Sequence, residues 1–217
     1  MKDLWYFHIP KTAGRALKEN VFNVLENDLY GYANLKYNDH NSFSQLDNNN
    51  SCSISIIRNP VERTISHWLY FYKNARRINP DLEKKEMIDY LLNNPDSCLI
   101  NYQSKFISTD IDNYGIEKDV FGYTPDMNLV KKRIDSITYL LDSKNQNNEL
   151  YQKLLDDIKL NFGILDKKEY LFKNTYKYKN KHSQDVFNSL TIKEIILLEE
   201  IMHLDMEIYC SSSFFVL

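Results

Sequence analysis

Apolar residues in this chain fall into two alternating kinds of run. Leu4 to Ile9 is a short aromatic and β-branched stretch closed by Pro10, after which Leu17, Val21, Val24 and Leu25 recur at helical spacing. The succession predicts a strand, a tight loop and a helix. Ser53 to Ile57 has the composition of a buried strand, and a second helix is expected after Arg58-Asn59-Pro60. Asn59 is placed to cap that helix, Pro60 suits its first position, and Glu62 completes a capping box. Val61, Ile65, Trp68, Leu69 and Tyr72 then share one face.

The grammar continues downstream. Asp126 is expected to cap a helix carrying Leu129, Val130 and Ile134, and Ile137 to Leu141 reads as a third buried strand. A helix from about Asn148 places Leu150, Leu154, Leu155, Ile158 and Phe162 on one stripe, with Gly163 as its stop. Thr191 and Glu194 form another capping box, opening a last long helix that runs to about Tyr209. Strands alternating with helices predict an α/β fold with a central parallel sheet and helices on both faces, in which ligands sit at the carboxyl ends of the strands. Residues 1–217 are read as a single domain without internal repeats.

Composition narrows what such a sheet edge can bind. The formal net charge of −3 gives no global attraction to nucleic acid or to an anionic membrane, so an anionic ligand has to be met by local cations. Lys73 to Arg77 and Lys177 to Lys181 are basic clusters that serve either as solvated faces or as parts of a site. Three cysteines, with no CxxC pair, favour a reduced compartment, and the expected localisation is cytoplasmic. The apolar run before Pro10 is too short for a signal core or a membrane span, so a soluble chain with no stable membrane insertion is expected. No HxxxH or HExxH spacing occurs, and no metal site is expected.

Two segments carry the chemistry of anion recognition. His8-Ile9-Pro10-Lys11-Thr12-Ala13-Gly14-Arg15-Ala16 lies between a strand and its helix, where backbone N–H groups and the helix dipole favour an anion. Lys11 adds a charge and Thr12 a hydroxyl. The Walker pattern is absent, because the segment has one glycine and Lys11 precedes it. In the second segment, Ser55 to Trp68, Arg58 stands at a strand end and Ser66 lies on the helix side away from the apolar stripe. An arginine and a hydroxyl converging on one spot suit a phosphate monoester; the alternative is that Arg58 pairs with a carboxylate such as Glu62.

The first segment resembles the 5'-phosphosulfate loop of sulfotransferases, and the second resembles their 3'-phosphate motif, in which an arginine after a strand is followed eight positions later by a serine. Together they look most like the heparan sulfate and uronyl 2-O-sulfotransferases, with the 6-O-sulfotransferases next. The resemblance implies the P-loop-like sulfotransferase fold and 3'-phosphoadenosine 5'-phosphosulfate as sulfuryl donor, adenosine 3',5'-bisphosphate being the product. It implies that Lys11, Thr12, Ala13, Gly14, Arg15 and Ala16 cradle the 5'-phosphosulfate, and that Arg58 and Ser66 hold the 3'-phosphate. Family members usually carry Ser or Thr where this chain has Gly14 and Arg15. Arg15 is therefore open to two roles, a charge in the cradle or an outward contact to an acidic acceptor.

The resemblance also implies a histidine base between the two motifs, and His40 is the one histidine between Lys11 and Arg58. Its side chain titrates near operating pH, as a general base requires. His8 is read as structural and His67 as a second candidate. Lys181 and Ser183 match a basic loop that closes over the nucleotide, and Tyr70, Tyr72, Lys73, Arg76 and Arg77 are placed to line an acceptor groove. The implied partner is a hydroxyl acceptor, a glycan by nearest resemblance. The competing readings are a P-loop kinase or phosphotransferase and a non-catalytic nucleotide- or glycan-binding module of the same fold.

Overall fold

The computed structural model describes residues 2–37, 42–48, 52–71, 79–109, 123–172 and 181–215. Strands β1 (Lys2–Phe7), β2 (Ala33–Lys36), β3 (Cys52–Ile57) and β4 (Tyr139–Asp142) form a parallel sheet in the order β2-β1-β3-β4. Phe7 is level with Ser55, and Ile57 with Asp142, so β1, β3 and β4 release their chains along one carboxyl edge. Because β1 lies between β2 and β3, the crossovers after it diverge. That divergence makes the crevice in which such sheets bind ligands.

After β1, α1 (Gly14–Leu17) runs through a π-helical turn, Lys18–Phe22, into α2 (Asn23–Asp28). The later helices are α3 (Pro60–Phe71), α4 (Pro80–Asn93), α5 (Tyr102–Ser108), α6 (Met127–Asp135), α7 (Asn148–Asn161), α8 (Lys181–Ser189), α9 (Ile192–Ile201) and α10 (His203–Ser211). Leu4, Tyr6, Ile54, Ile56 and Leu141 pack one face of the sheet against Leu17, Val21 and Leu25 and against Leu150, Leu154 and Ile158 of α7. Their alternates Phe7, Ile57 and Leu140 pack the other face against Tyr102, Phe106, Val130 and Ile134. The strands are thus buried on both sides, which is why they read as continuous apolar runs. A third cluster joins Val61, Ile65 and Trp68 of α3 to Met87, Leu91, Val186 and Leu198.

The expected caps form at Asp126, whose carboxylate accepts from the N–H groups of Asn128 and Leu129, and at Thr191 with Glu194. Several features differ from the sequence expectation. Strand β2 was not anticipated, because Ala33-Asn34-Leu35-Lys36 is short, polar at alternate positions and at the sheet edge. Lys181 and Ser183 belong to α8, with Ser183 buried, rather than to a loop. The last long helix is two, broken at Met202, since the Asn101 side chain accepts from the N–H groups of Leu204 (3.1 Å) and Asp205 (3.2 Å) and starts α10 afresh. In return, the Asp205 carboxylate accepts from Gln103 N–H (3.0 Å), Ser104 N–H (2.7 Å) and the Ser104 hydroxyl (2.6 Å) at the start of α5. Among the described residues, no helix is long and apolar enough to cross a membrane.

Candidate active site

The loop after β1 holds an unusual backbone. Lys11 and Ala13 both adopt positive φ (69° and 71°), a region that non-glycine residues rarely visit. Ala13 is the N-cap of α1 and supplies no side-chain cap. The first N–H groups of the helix therefore have no side-chain acceptor from the N-cap, an arrangement suited to an anion. Thr12 is fully buried and its hydroxyl donates to the Ile9 carbonyl (2.7 Å), closing the turn from within. The Lys11 ammonium lies 3.7 Å from the centre of the Tyr70 ring, which α3 presents at its exposed end.

Residues of the second segment hold this loop by its carbonyls. Arg58, 8% exposed, donates from its terminal nitrogen to Lys11 O (3.4 Å), and Arg63, fully buried, donates from Nε to Pro10 O (3.4 Å). Arg63 also stacks on Tyr102 at 3.5 Å and hydrogen-bonds His67 Nδ1. The Arg58 backbone is fixed in turn by Gln103, whose amide accepts from its N–H (3.0 Å) and donates to its carbonyl (2.8 Å). Asp205 sits behind this layer. Burial pushes its carboxyl up, while the Ser104 hydroxyl, the backbone N–H groups and Arg63 pull it down.

Arg58 pairs with Glu62 through Nε and a terminal nitrogen, both at 3.4 Å from one carboxylate oxygen, and Lys144 Nζ lies 3.3 Å from the other. Asn59 caps α3 through Glu62 N–H (3.2 Å), but the carboxylate that a capping box would turn to the Asn59 backbone is engaged with these two cations. Ser66, half-buried, lies one turn beyond Glu62 on α3.

Beside the loop, a cleft of about 480 Å³ is lined by Tyr6, His8, Gly14, Arg15, Lys18, Glu19 and Asn23. His8 stacks on Tyr6 with ring centres 5.5 Å apart, and both pack against Gly14 so closely that a Cβ there would overlap the Tyr6 hydroxyl and the His8 ring.

A model of the sulfotransferase family matches residues 2–210. The chain belongs to the sulfotransferase family. Sulfuryl transfer is accordingly the general chemistry of this protein, and the α/β architecture with its parallel sheet is that of the family. A search of the curated proteins returned no match.

Of the residues that the sequence singled out in this sulfotransferase, the loop and Arg58 come together at the carboxyl edge through the Lys11 carbonyl, Arg58 also makes the pairing with Glu62 that was its alternative, and Ser66 lies half-buried on α3. Arg15 turns outward, its side chain 72% exposed and 3.2 Å from Glu19. His67 is 1% exposed and engaged with Arg63 and Tyr102, which makes it a core histidine. Lys181 is exposed at the start of α8, whose Val186 packs with Val61 and Ile65 of α3. His40, Tyr72, Lys73, Arg76, Arg77 and residues 177–180 lie outside the described residues. The sequence reading of this sulfotransferase missed Arg63, Gln103 and Lys144. Lys144 had a findable signal, since it follows a buried strand just as Arg58 does, whereas the partnership of Gln103 with Arg58 spans 45 positions and leaves no local mark.

Proposed function

We propose that the chain binds 3'-phosphoadenosine 5'-phosphosulfate across the carboxyl edge of β1 and β3 and passes its sulfuryl group to a hydroxyl, on a carbohydrate by preference. The observation that carries this reading is the contact between the two anion-binding segments: Arg58 of one donates to the Lys11 carbonyl of the other, so one nucleotide with phosphates at both ends can engage both. The left-handed backbone of the loop and the uncapped start of α1 fit the 5' end, and Arg58 with Ser66 fits the 3' end. Lys11 would meet the negative charge that develops on the 5'-phosphate oxygen as its bond to sulfur breaks. The acceptor oxygen forms the new bond to sulfur, and its proton passes to His40. The cleft beside Tyr6, His8 and Gly14 adjoins the loop, so an acceptor lying in it would meet the 5' end of the nucleotide. An exposed Tyr70 next to Lys11 favours a sugar, whose C–H faces stack on aromatic rings.

Calorimetry with adenosine 3',5'-bisphosphate and adenosine 5'-monophosphate tests this reading. A charge-assisted contact contributes about 1.5 to 3 kcal/mol, so the bisphosphate should bind at least about tenfold more tightly. Equal affinities would overturn the assignment. In the same assay His40→Ala should keep bisphosphate affinity while losing sulfuryl transfer, and full transfer by that variant would remove His40 from the reaction.

A further inference from the structure

We propose that Lys144 is a third binding group for the 3'-phosphate, acting beside Arg58 across the shared carboxylate of Glu62; the inference rests on the nucleotide reading given above. Asp142 ends β4 level with Ile57, the residue before Arg58, so the turn after β4 and the start of α3 leave the sheet side by side. The Asp142 carboxylate fixes that turn: it accepts from Lys144 N–H (2.9 Å) and from the Tyr209 hydroxyl (2.8 Å). The turn sends the Lys144 side chain toward α3, where Nζ lies 3.3 Å from Glu62. Arg58 reaches the other oxygen of the same carboxylate at 3.4 Å.

Charge counting decides what this cluster can bind. Arg58 and Lys144 share the one carboxylate of Glu62, while the Asp142 carboxylate is occupied by the Lys144 N–H and the Tyr209 hydroxyl. Within the cluster of Arg58, Glu62 and Lys144, removing Lys144 would leave Arg58 matched one for one by Glu62, with no surplus charge for a phosphate. Lys144 supplies that surplus. It also sits at the open end of the cluster, its side chain 49% exposed against 9% for Arg58 and 13% for Glu62. An incoming phosphate can therefore draw the ammonium from Glu62 without unpacking the core, while Arg58 stays anchored through its backbone and through Lys11. Glu62 then acts as a placeholder that keeps both cations at the spacing a phosphate needs.

The test is calorimetry on Lys144→Met and Lys144→Arg with adenosine 3',5'-bisphosphate and adenosine 5'-monophosphate as probes. Lys144→Met keeps the aliphatic stem of a half-exposed side chain, so folding should be unaffected. It should lose about tenfold in affinity for the bisphosphate and nothing for the monophosphate, and Lys144→Arg should stay near the wild type. Unchanged bisphosphate affinity in Lys144→Met, with the wild-type preference intact, overturns the inference alone. An equal loss for both nucleotides overturns it too, since the lysine would then be serving the fold. A wild type that does not distinguish the two nucleotides overturns the nucleotide reading itself, and the inference with it.

Discussion

Ala13 adopts φ 71° and ψ 21°, a conformation in which its Cβ crowds the backbone at a cost of about 1 to 2 kcal/mol. The contacts that Thr12, Arg58 and Arg63 make with the Ile9, Lys11 and Pro10 carbonyls hold the loop in that shape against the strain. Ala13→Gly should relieve most of this strain and lose some again through a freer unfolded chain, for a net gain of up to about 1 kcal/mol. Urea denaturation measures it; a loss of more than 1 kcal/mol would mean that the Ala13 methyl packs usefully. Gly14 is the opposite case. The space beside its Cα is filled by the Tyr6 hydroxyl and the His8 ring, so Gly14→Ser should destabilise by about 1 to 3 kcal/mol through overpacking. A Gly14→Ser variant with unchanged melting temperature would show that Tyr6 and His8 move aside easily.

At the scale of elements, the junction of α5 with α10 depends on a reciprocal exchange of caps. Asn101 serves the first N–H groups of α10, and Asp205 serves those of α5, roughly a hundred residues apart in each case. Asp205→Ala would leave the buried N–H groups of Gln103 and Ser104 without their acceptor, and should cost about 2 to 5 kcal/mol in urea unfolding. A cost below 1 kcal/mol would mean that water replaces the carboxylate. The same exchange explains what the sequence could not tell. Leu197, Leu198, Ile201 and Leu204 continue one apolar periodicity through Met202, and nothing local marks the break, because the residue that makes it is Asn101. Strands β1, β3 and β4 were legible because burial on both faces demands unbroken apolar runs. Lys11 and Arg58 were legible for a related reason: a cation just after such a run must lie at the carboxyl edge. Arg63 was not, since a buried arginine in an amphipathic helix looks like any surface arginine until its partners Pro10 and Tyr102 are known.

On the scale of the whole molecule, β1 is hydrogen-bonded on both edges, by β2 on one side and β3 on the other, yet it is made before either of them. A chain emerging from the ribosome therefore carries an apolar strand with one edge open until Ala33–Lys36 is available and the other until Cys52–Ile57, and β3 in turn waits for Tyr139–Asp142. Pairings of such sequence separation close slowly, and strands left open in the meantime invite association with other chains. The loop that follows β1 is in the same position. Its donors Arg58 and Arg63 arrive about fifty residues later, so during early synthesis the left-handed backbone at Lys11 and Ala13 is held by the local Thr12–Ile9 bond alone of the three contacts described above. The loop after β1 thus takes its final shape late in the birth of the chain, once the second half of the sheet has docked on the first.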